Sequence, residues 1–174
     1  MTALARLLDL DPLRLAELQQ TLIARGETVA VAESLTGGLL TAVLTGTPGA
    51  SSVVRGGLVV YATDTKHALA GVDGDLLDQR GAVDPEVAGQ LAAGARRAFA
   101  ATWGIGVTGV AGPKPQDGQP VGTVFCAVAG PDGRAAEDAA HHSGDRDEVR
   151  TAAIQQAIDL LITAIGEHLS GTPR

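Results

Sequence analysis

A chain of 174 residues with 45% apolar content and a mean hydropathy of +0.16 can build the core of one soluble domain. Its net charge of −7 argues against binding to nucleic acids or anionic membranes, because both attract clustered Lys and Arg. The N-terminus lacks a basic region followed by an apolar run, and no apolar run reaches membrane-spanning length. We therefore expect a single domain over residues 1–174, located in the cytoplasm.

The first half of the chain alternates helical and strand patterns. Asp11 and Pro12 are typical of a helix start, and short apolar runs bounded by polar turns indicate strands. These patterns predict helices over 13–26, 39–46 and 63–72 and strands over 28–32 and 57–61. The acidic segment 73–78 is interpreted as a solvated turn.

The second half begins with a helix, which Asp84 and Pro85 indicate, and continues with strands. Asp132-Gly133 indicates a hairpin turn, so the strands on either side of it are expected to be antiparallel. The predicted elements are helices over 84–100 and 149–169 and strands over 103–109, 121–130 and 134–142. The whole order predicts an α/β fold, namely a three-layer α/β/α sandwich with a five-stranded mixed sheet.

Ser34 follows the first predicted strand, at or just before the expected start of a helix. Free backbone N–H groups and the positive end of the helix dipole could stabilise an oxyanion there, which would suit a nucleophile. The same position suits an ordinary helix cap, because Ser is favoured there for local reasons. The glycines of the G-x-S-x-G elbow are absent around Ser34. Position alone leaves both interpretations open.

Lys66 is one of only two lysines among 13 basic residues, the other being Lys114. A lysine in an apolar cleft can lose its proton near neutral pH and act as the base for a serine, whereas an arginine stays charged. A solvated lysine on a helix surface is the alternative. Four histidines could compete for the role of base, and none has the spacing of a metal site: His67, His141, His142 and His168.

Two further features could belong to a site. The Gly- and Pro-rich segment 109–118 either lines a ligand pocket or simply connects two strands, and it is not a P-loop. Arg146 lies at the expected start of the last helix, where the dipole disfavours a cation. This position suggests a site for phosphate or carboxylate, with Asp145 and Asp147 as alternative partners of the arginine.

Five segments, in this order and spacing, resemble the CinA C-terminal domain family, the nicotinamide mononucleotide (NMN) deamidases also called PncC. They are AESLTGG, PGASSVVRGGLVVYATDTK, GVTGVAGP, PVGTVFCAVAG and SGDRDEVR. The resemblance extends over nearly the whole chain and implies an α/β/α fold with a five-stranded mixed sheet. The implied reaction is hydrolysis of the NMN carboxamide to nicotinate mononucleotide and ammonia, in pyridine nucleotide salvage.

The resemblance also implies roles for individual residues. Ser34 matches the nucleophile and Lys66 the base, while Ser51 and Tyr61 match supporting hydrogen-bond partners in catalysis. The implied substrate-binding residues are Glu33, Thr36, Gly37, Thr108, Gly109 and Arg146. The implied reaction needs no metal and no cofactor, its partner is NMN rather than a nucleic acid or a membrane, and a homodimer is compatible with the sequence.

Three positions depart from the family pattern. Ala50 replaces the first serine of a usual pair, Leu35 stands where many members have Cys, and Lys114-Pro115 alters the Gly-rich loop. Two other functions stay open: a nucleotide-binding or partner-binding module without catalysis, and phosphate-ester hydrolysis, for which the usual clustered acids are absent. Longer family members carry an N-terminal domain similar to molybdopterin-binding proteins, and we do not expect its activities here.

Overall fold

The structure, a computed structural model, describes residues 4, 6, 8–133 and 135–170, with only the backbone at 169 and 170. The strands in these ranges are β1 (Val29–Glu33), β2 (Val54–Val59), β3 (Trp103–Gly109), β4 (Thr123–Ala129) and β5 (Ala135–His141). The α-helices are α1 (Pro12–Arg25), α2 (Leu39–Thr45), α3 (Thr63–Ala70), α4 (Gly74–Arg80), α5 (Pro85–Ala98) and α6 (Arg146–Ser170).

All five strands form one mixed sheet in the order β2-β1-β3-β4-β5. β1 pairs in parallel with β2 and with β3, whereas β3 with β4 and β4 with β5 are antiparallel. The predicted mixed sheet and the hairpin between its last two strands are therefore confirmed. The carboxyl ends of β1, β2 and β3 lie at the same edge, where open α/β sheets usually bind ligands.

The side chains of β1 alternate between two hydrophobic cores, because successive residues of a strand point to opposite faces. Val29 and Val31 pack in the core that includes residues of α1, α2 and α6. Ala30 and Ala32 pack in the core that includes residues of α3, α4 and α5. Helices thus cover both faces of the sheet, which confirms the three-layer sandwich.

Two glycines of β3 allow α5 to pack closely against the sheet. A Cβ atom at Gly104 would collide with the carbonyl oxygen of Ala92, and one at Gly106 would collide with that of Ala88. Only glycine leaves room for the helix backbone at these positions. The close packing fixes the position of α5 on the face of the sheet that α3 and α4 also cover.

The second strand and the acidic segment after α3 differ from the sequence prediction. β2 is Val54–Val59 rather than 57–61, and it pairs with β1 alone, as an edge strand of the described sheet. Segment 73–78 is not a solvated turn: most of it belongs to α4. Asp73 caps this helix by accepting from the Asp75 N–H at 3.0 Å, and Leu76 and Leu77 are buried.

The last helix begins at Arg146, the residue expected at its start, so it includes three residues before the predicted pattern 149–169, and Asp145 caps it. Its carboxylate accepts from the N–H groups of Asp147 and Glu148 at 2.9 and 3.0 Å. Arg134, part of the predicted fifth strand, lies outside the described residues. Across the described ranges, no helix has both the length and the apolar character that crossing a membrane requires.

Candidate active site

The carboxyl ends of the three parallel strands border an open cavity of about 140 Å³. Ser34 directly follows β1, Lys66 lies one turn into the helix after β2, and Thr108 is at the end of β3. Six residues that the sequence or the resemblance singled out line this cavity: Ser34, Tyr61, Lys66, Thr108, Gly109 and Arg146. The fold thus brings together groups from four separate segments of the chain.

Lys66 contacts Ser34 at the base of the cavity. Its Nζ donates to Ser34 Oγ at 3.1 Å and to the carbonyl oxygens of Val60 and Tyr61 at 2.9 and 3.3 Å. The lysine is 1% exposed, which contradicts the alternative of a solvated surface residue. Among the described residues, no carboxylate lies within 4.0 Å of this amine.

Burial lowers the pKa of Lys66 to about 8, because desolvation disfavours the charged form, while the negative charges of Asp117 and Asp64 oppose this effect. A neutral amine has two N–H bonds and one lone pair. The carbonyl oxygens of Val60 and Tyr61 can accept both N–H bonds, which leaves the lone pair for the hydroxyl proton of Ser34. The arrangement therefore suits Lys66 as a proton acceptor.

Glu33 does not face the cavity but anchors α2. Its fully buried carboxylate accepts from the Oγ1 atoms of Thr36 and Thr41, both at 2.6 Å, and from the N–H groups of Leu40 and Thr41 at 3.1 and 3.0 Å. The expected substrate-binding roles of Glu33 and Thr36 are therefore not supported, since their side chains bind each other. Gly37 does not line the cavity either.

The helix after Ser34 starts later than the sequence suggested. α2 begins at Leu39, after Gly38 as the cap, so Ser34 neither caps the helix nor sits at its first turn. The chain reaches α2 through a turn in which the Gly37 N–H donates to the Ser34 carbonyl oxygen at 3.0 Å. Gly37 and Gly38 have φ values of +61° and +97°, which favour glycine. With Glu33 occupying the first-turn N–H groups, the dipole argument for Ser34 fails.

Arg150 holds this turn from the last helix and was missed in the sequence analysis. Its guanidinium donates to the carbonyl oxygens of Leu35 and Thr36 at 3.1 and 3.0 Å, and to Asp147 at 3.2 Å. It therefore binds the two residues that follow the candidate nucleophile Ser34. The available signal was its position four residues after Arg146, on the same side of a helix.

Two residues that line the cavity have backbone N–H groups without an acceptor among the described residues. Ser34 itself donates its N–H to Val107, continuing the pairing of β1 with β3. The Leu35 N–H has no hydrogen-bond acceptor among the described residues, and Leu35 lines the cavity. The N–H of Ala111, another residue that lines the cavity, also has no acceptor in the part of the chain that the structure describes.

The loop after β3 forms one wall of the cavity, so it is more than a connection between strands. Thr108 is buried, and its hydroxyl donates to the carbonyl oxygen of Ala82 at 2.6 Å, while Gly109 begins the wall. Asp117 ties the loop to the segment before α5 by accepting from the N–H groups of Ala82 and Val83 at 2.7 and 3.2 Å. Thr108 therefore uses its hydroxyl proton within the cavity wall.

Arg146 joins two walls of the cavity. Its guanidinium donates to the carbonyl oxygen of Gly112 at 2.7 Å and to the hydroxyl of Tyr61 at 2.9 Å. Asp145 caps α6 and Asp147 pairs with Arg150, so neither takes the role of partner that the sequence left open. The charge of Arg146 is thus available to an anionic ligand. Tyr61 contributes its carbonyl oxygen to Lys66 and its hydroxyl to Arg146.

Ser51 is the implied catalytic residue that the chain does not bring to the cavity. It is exposed in the short 3₁₀ helix Ala50–Ser52, before β2, whereas Lys66 follows β2. The two ends of a strand lie at opposite edges of the sheet, so Ser51 is remote from Ser34 in the same chain. No histidine within the described ranges lines the cavity. These ranges also contain no group of three or more His, Cys, Asp or Glu residues placed to hold a metal ion.

Comparison with known proteins identifies curated relatives of this chain. A CinA-like protein of Frankia casuarinae is 49% identical over 152 residues, which cover 87% of this chain and 34% of the relative. A CinA-like protein of Anaeromyxobacter sp. (strain Fw109-5) is 51% identical over 147 residues, covering 83% and 35%. The chain spans about a third of the length of these relatives.

Solved structures share the fold. The competence-damaged protein (CinA) superfamily protein from Escherichia coli is 29% identical with a TM-score of 0.82, covering 87% of this chain and 88% of that chain. The competence/damage inducible protein CihA from Agrobacterium tumefaciens is 34% identical with a TM-score of 0.81, covering 90% and 98%. The sequence model of the family described as the CinA C-terminal domain matches residues 14–165. The chain therefore belongs to the CinA C-terminal domain family.

Proposed function

We propose that this protein hydrolyses the carboxamide of NMN to nicotinate mononucleotide and ammonia, as a Ser/Lys amidohydrolase of pyridine nucleotide salvage. The observation that carries the proposal is the 3.1 Å contact between Lys66 Nζ and Ser34 Oγ in an open cavity. Family membership and the resemblance of the five segments to NMN deamidases support it.

In the first step, neutral Lys66 takes the hydroxyl proton of Ser34 as Oγ attacks the carboxamide carbon. With a pKa of about 8, about one lysine in ten is neutral at pH 7. A lysine with an ordinary pKa would be neutral in about one molecule in a few thousand. Burial of Lys66 thus makes the base available near neutral pH.

The attack places a negative charge on the former carbonyl oxygen. The N–H of Leu35 directly follows the nucleophile, and Ala111 lines the same cavity with its N–H free of acceptors among the described residues, so we assign these groups as oxyanion donors. Preorganised donors of this kind are worth about 3 kcal/mol each in known cases. Arg150 supports the first of them by fixing the turn that contains Leu35.

Protonated Lys66 then gives its proton to the departing nitrogen, which leaves as ammonia, and the substrate remains bound to Ser34 as an ester. Water then attacks this ester, and Lys66 accepts a proton from the water. Lys66 returns that proton to the Ser34 oxygen as nicotinate mononucleotide leaves. Every proton in this sequence passes through Lys66, Ser34 or water. Arg146 is positioned to hold the substrate's phosphate.

Ammonia release from NMN tests this proposal. Ser34→Ala and Lys66→Ala should each lower the rate at least about a thousandfold, as expected for groups that act as a unit. The matched control is Ser52→Ala, an exposed serine before β2, which should retain the original rate. Wild-type rates in either of the first two variants would exclude this dyad.

A substrate panel separates the proposed enzyme from a binding module. NMN, nicotinamide riboside and nicotinamide share the carboxamide and differ in the ribose and phosphate. Ammonia release from NMN above that from the other two supports the proposal. Tight NMN binding without ammonia release would instead favour a nucleotide-binding module that lacks catalysis.

A further inference from the structure

The charged residues that line the cavity, among those the structure describes, are all cationic. Lys66, Lys114 and Arg146 line it, and none of its described lining residues is Asp or Glu. The chain has a net charge of −7 and only two lysines, both of which face this cavity. An acidic protein that gathers its lysines in one cleft creates a local field that attracts anions.

The loop that carries Lys114 is anchored on both sides of it. Before Lys114, the carbonyl oxygen of Gly112 accepts from Arg146 at 2.7 Å. After it, Asp117 accepts from the N–H of Ala82 at 2.7 Å. These contacts fix the loop without using the Lys114 side chain. Lys114 is therefore held at the cavity although its side chain forms no hydrogen bond with the described residues.

Lys114 has no anionic partner within the molecule. Its side chain is exposed and forms neither an ion pair nor a hydrogen bond with any residue that the structure describes. Asp117, three residues later, accepts backbone N–H groups through Oδ2 and forms no ion pair with Lys114. Two unpaired cations at one cavity, Lys114 and Arg146, repel each other until an anion lies between them.

We propose that Lys114 is a specificity-determining residue that binds, together with Arg146, the phosphomonoester group of the substrate. The inference rests on the proposed function and extends it from the carboxamide to the opposite end of the nucleotide. A phosphate monoester carries between one and two negative charges near neutral pH, which matches two cations. A nucleoside without phosphate gains nothing from Lys114, so this residue favours the nucleotide over the nucleoside.

Equilibrium binding tests the inference apart from turnover. In a Ser34→Ala background, which prevents hydrolysis, isothermal titration calorimetry compares NMN with nicotinamide riboside. Lys114→Gln should weaken NMN binding about threefold to tenfold and leave riboside binding unchanged, whereas Lys114→Arg should keep NMN affinity. Unchanged NMN binding, or an equal loss for both ligands, overturns the inference.

The control for total charge is Arg14→Gln. Arg14 pairs with Asp159 at 2.8 Å and does not line the cavity, so the variant loses the same charge elsewhere on the molecule. It should bind NMN as the parent does. A loss equal to that of Lys114→Gln would mean that net charge, rather than Lys114, sets the affinity, and would overturn the inference.

Failure of the proposed function is distinguishable from failure of this inference. If the unchanged protein releases no ammonia from NMN, the same titrations with inorganic phosphate test whether Lys114 binds phosphate, independently of catalysis. Phosphate binding that Lys114→Gln weakens supports the phosphate site, and this binding should fall with added NaCl. Absent phosphate binding, or equal binding by Lys114→Gln, overturns it.

Discussion

Replacing Lys66 by methionine should change how stability depends on pH. In the unfolded chain this lysine regains its ordinary pKa of 10.5, whereas burial in the folded protein lowers the pKa to about 8. Between these values the unfolded state binds more protons than the folded state. The contribution of Lys66 to the free energy of unfolding therefore rises with pH through this window and is absent in Lys66→Met.

The lowered pKa sets the size of the effect. A pKa of about 8 instead of 10.5 corresponds to about 3 kcal/mol, and water in the adjoining cavity screens the charge, leaving about 2 kcal/mol. At pH 7.5, Lys66→Met should therefore have a higher free energy of unfolding than the unchanged protein. By pH 10.5 this difference should be smaller by about 2 kcal/mol. Other groups that titrate in this range are present in both proteins and cancel.

Urea unfolding at a series of pH values from 7.5 to 10.5 measures this difference. Lys114→Met removes a lysine from an exposed position and serves as the matched control for the loss of one lysine side chain. A difference between Lys66→Met and the unchanged protein that stays constant within about 0.5 kcal/mol would refute the assignment of Lys66 as a buried amine with a lowered pKa.

Four further predictions concern the surroundings of the cavity. The charge of Asp117 raises the pKa of Lys66, so Asp117→Asn should move the rising limb of kcat/KM for NMN to lower pH and increase kcat/KM at pH 6.5 by about twofold. Arg150→Met should lower kcat for ammonia release at least about tenfold with little change in KM, and Arg150→Lys should recover part of it, because the guanidinium fixes the turn after the nucleophile. Ser51→Ala should keep kcat/KM within about twofold, since Ser51 lies at the other edge of the sheet. Glu33→Gln should lower the free energy of unfolding in urea by about 2 to 4 kcal/mol, because its amide group would face donors that now bind a carboxylate.

Local sequence signals were sufficient to predict the bounds of an element when those bounds depend on the element's own residues. Asp11-Pro12 and Asp84-Pro85 predicted the starts of α1 and α5, and both aspartates accept a hydrogen bond from the first turn of their helix. β2 was displaced because an edge strand that contains Gly56 and Gly57 lacks a continuous apolar pattern. α4 was missed because only two of its seven residues, Leu76 and Leu77, are apolar, although Asp73 followed by Asp75 is a cap signal.

The site was less predictable because it depends on the direction of strands and on distant contacts. Ser51 belongs to a recognisable segment, but it precedes β2, whereas the residues of the cavity follow their strands. The burial of Lys66 is decided by how α3 packs on the sheet, which its sequence does not reveal. The contact of Arg150 with Leu35 joins residues 115 positions apart, and no local pattern encodes such a separation.

The two buried ionisable groups beside Ser34 are stabilised in opposite ways, and the difference explains their different roles. Glu33 accepts four hydrogen bonds, one from Thr36 in the turn and three from Leu40 and Thr41 of α2, so its carboxylate is fully satisfied and fixes the start of the helix. Lys66 has three neutral oxygen acceptors and no carboxylate within 4.0 Å in the described ranges, so its charge forms no ion pair at close range. A carboxylate beside Lys66 would hold the proton on the amine and strengthen the fold, but it would remove the base. The absence of that partner is therefore the feature that suits the lysine to proton transfer.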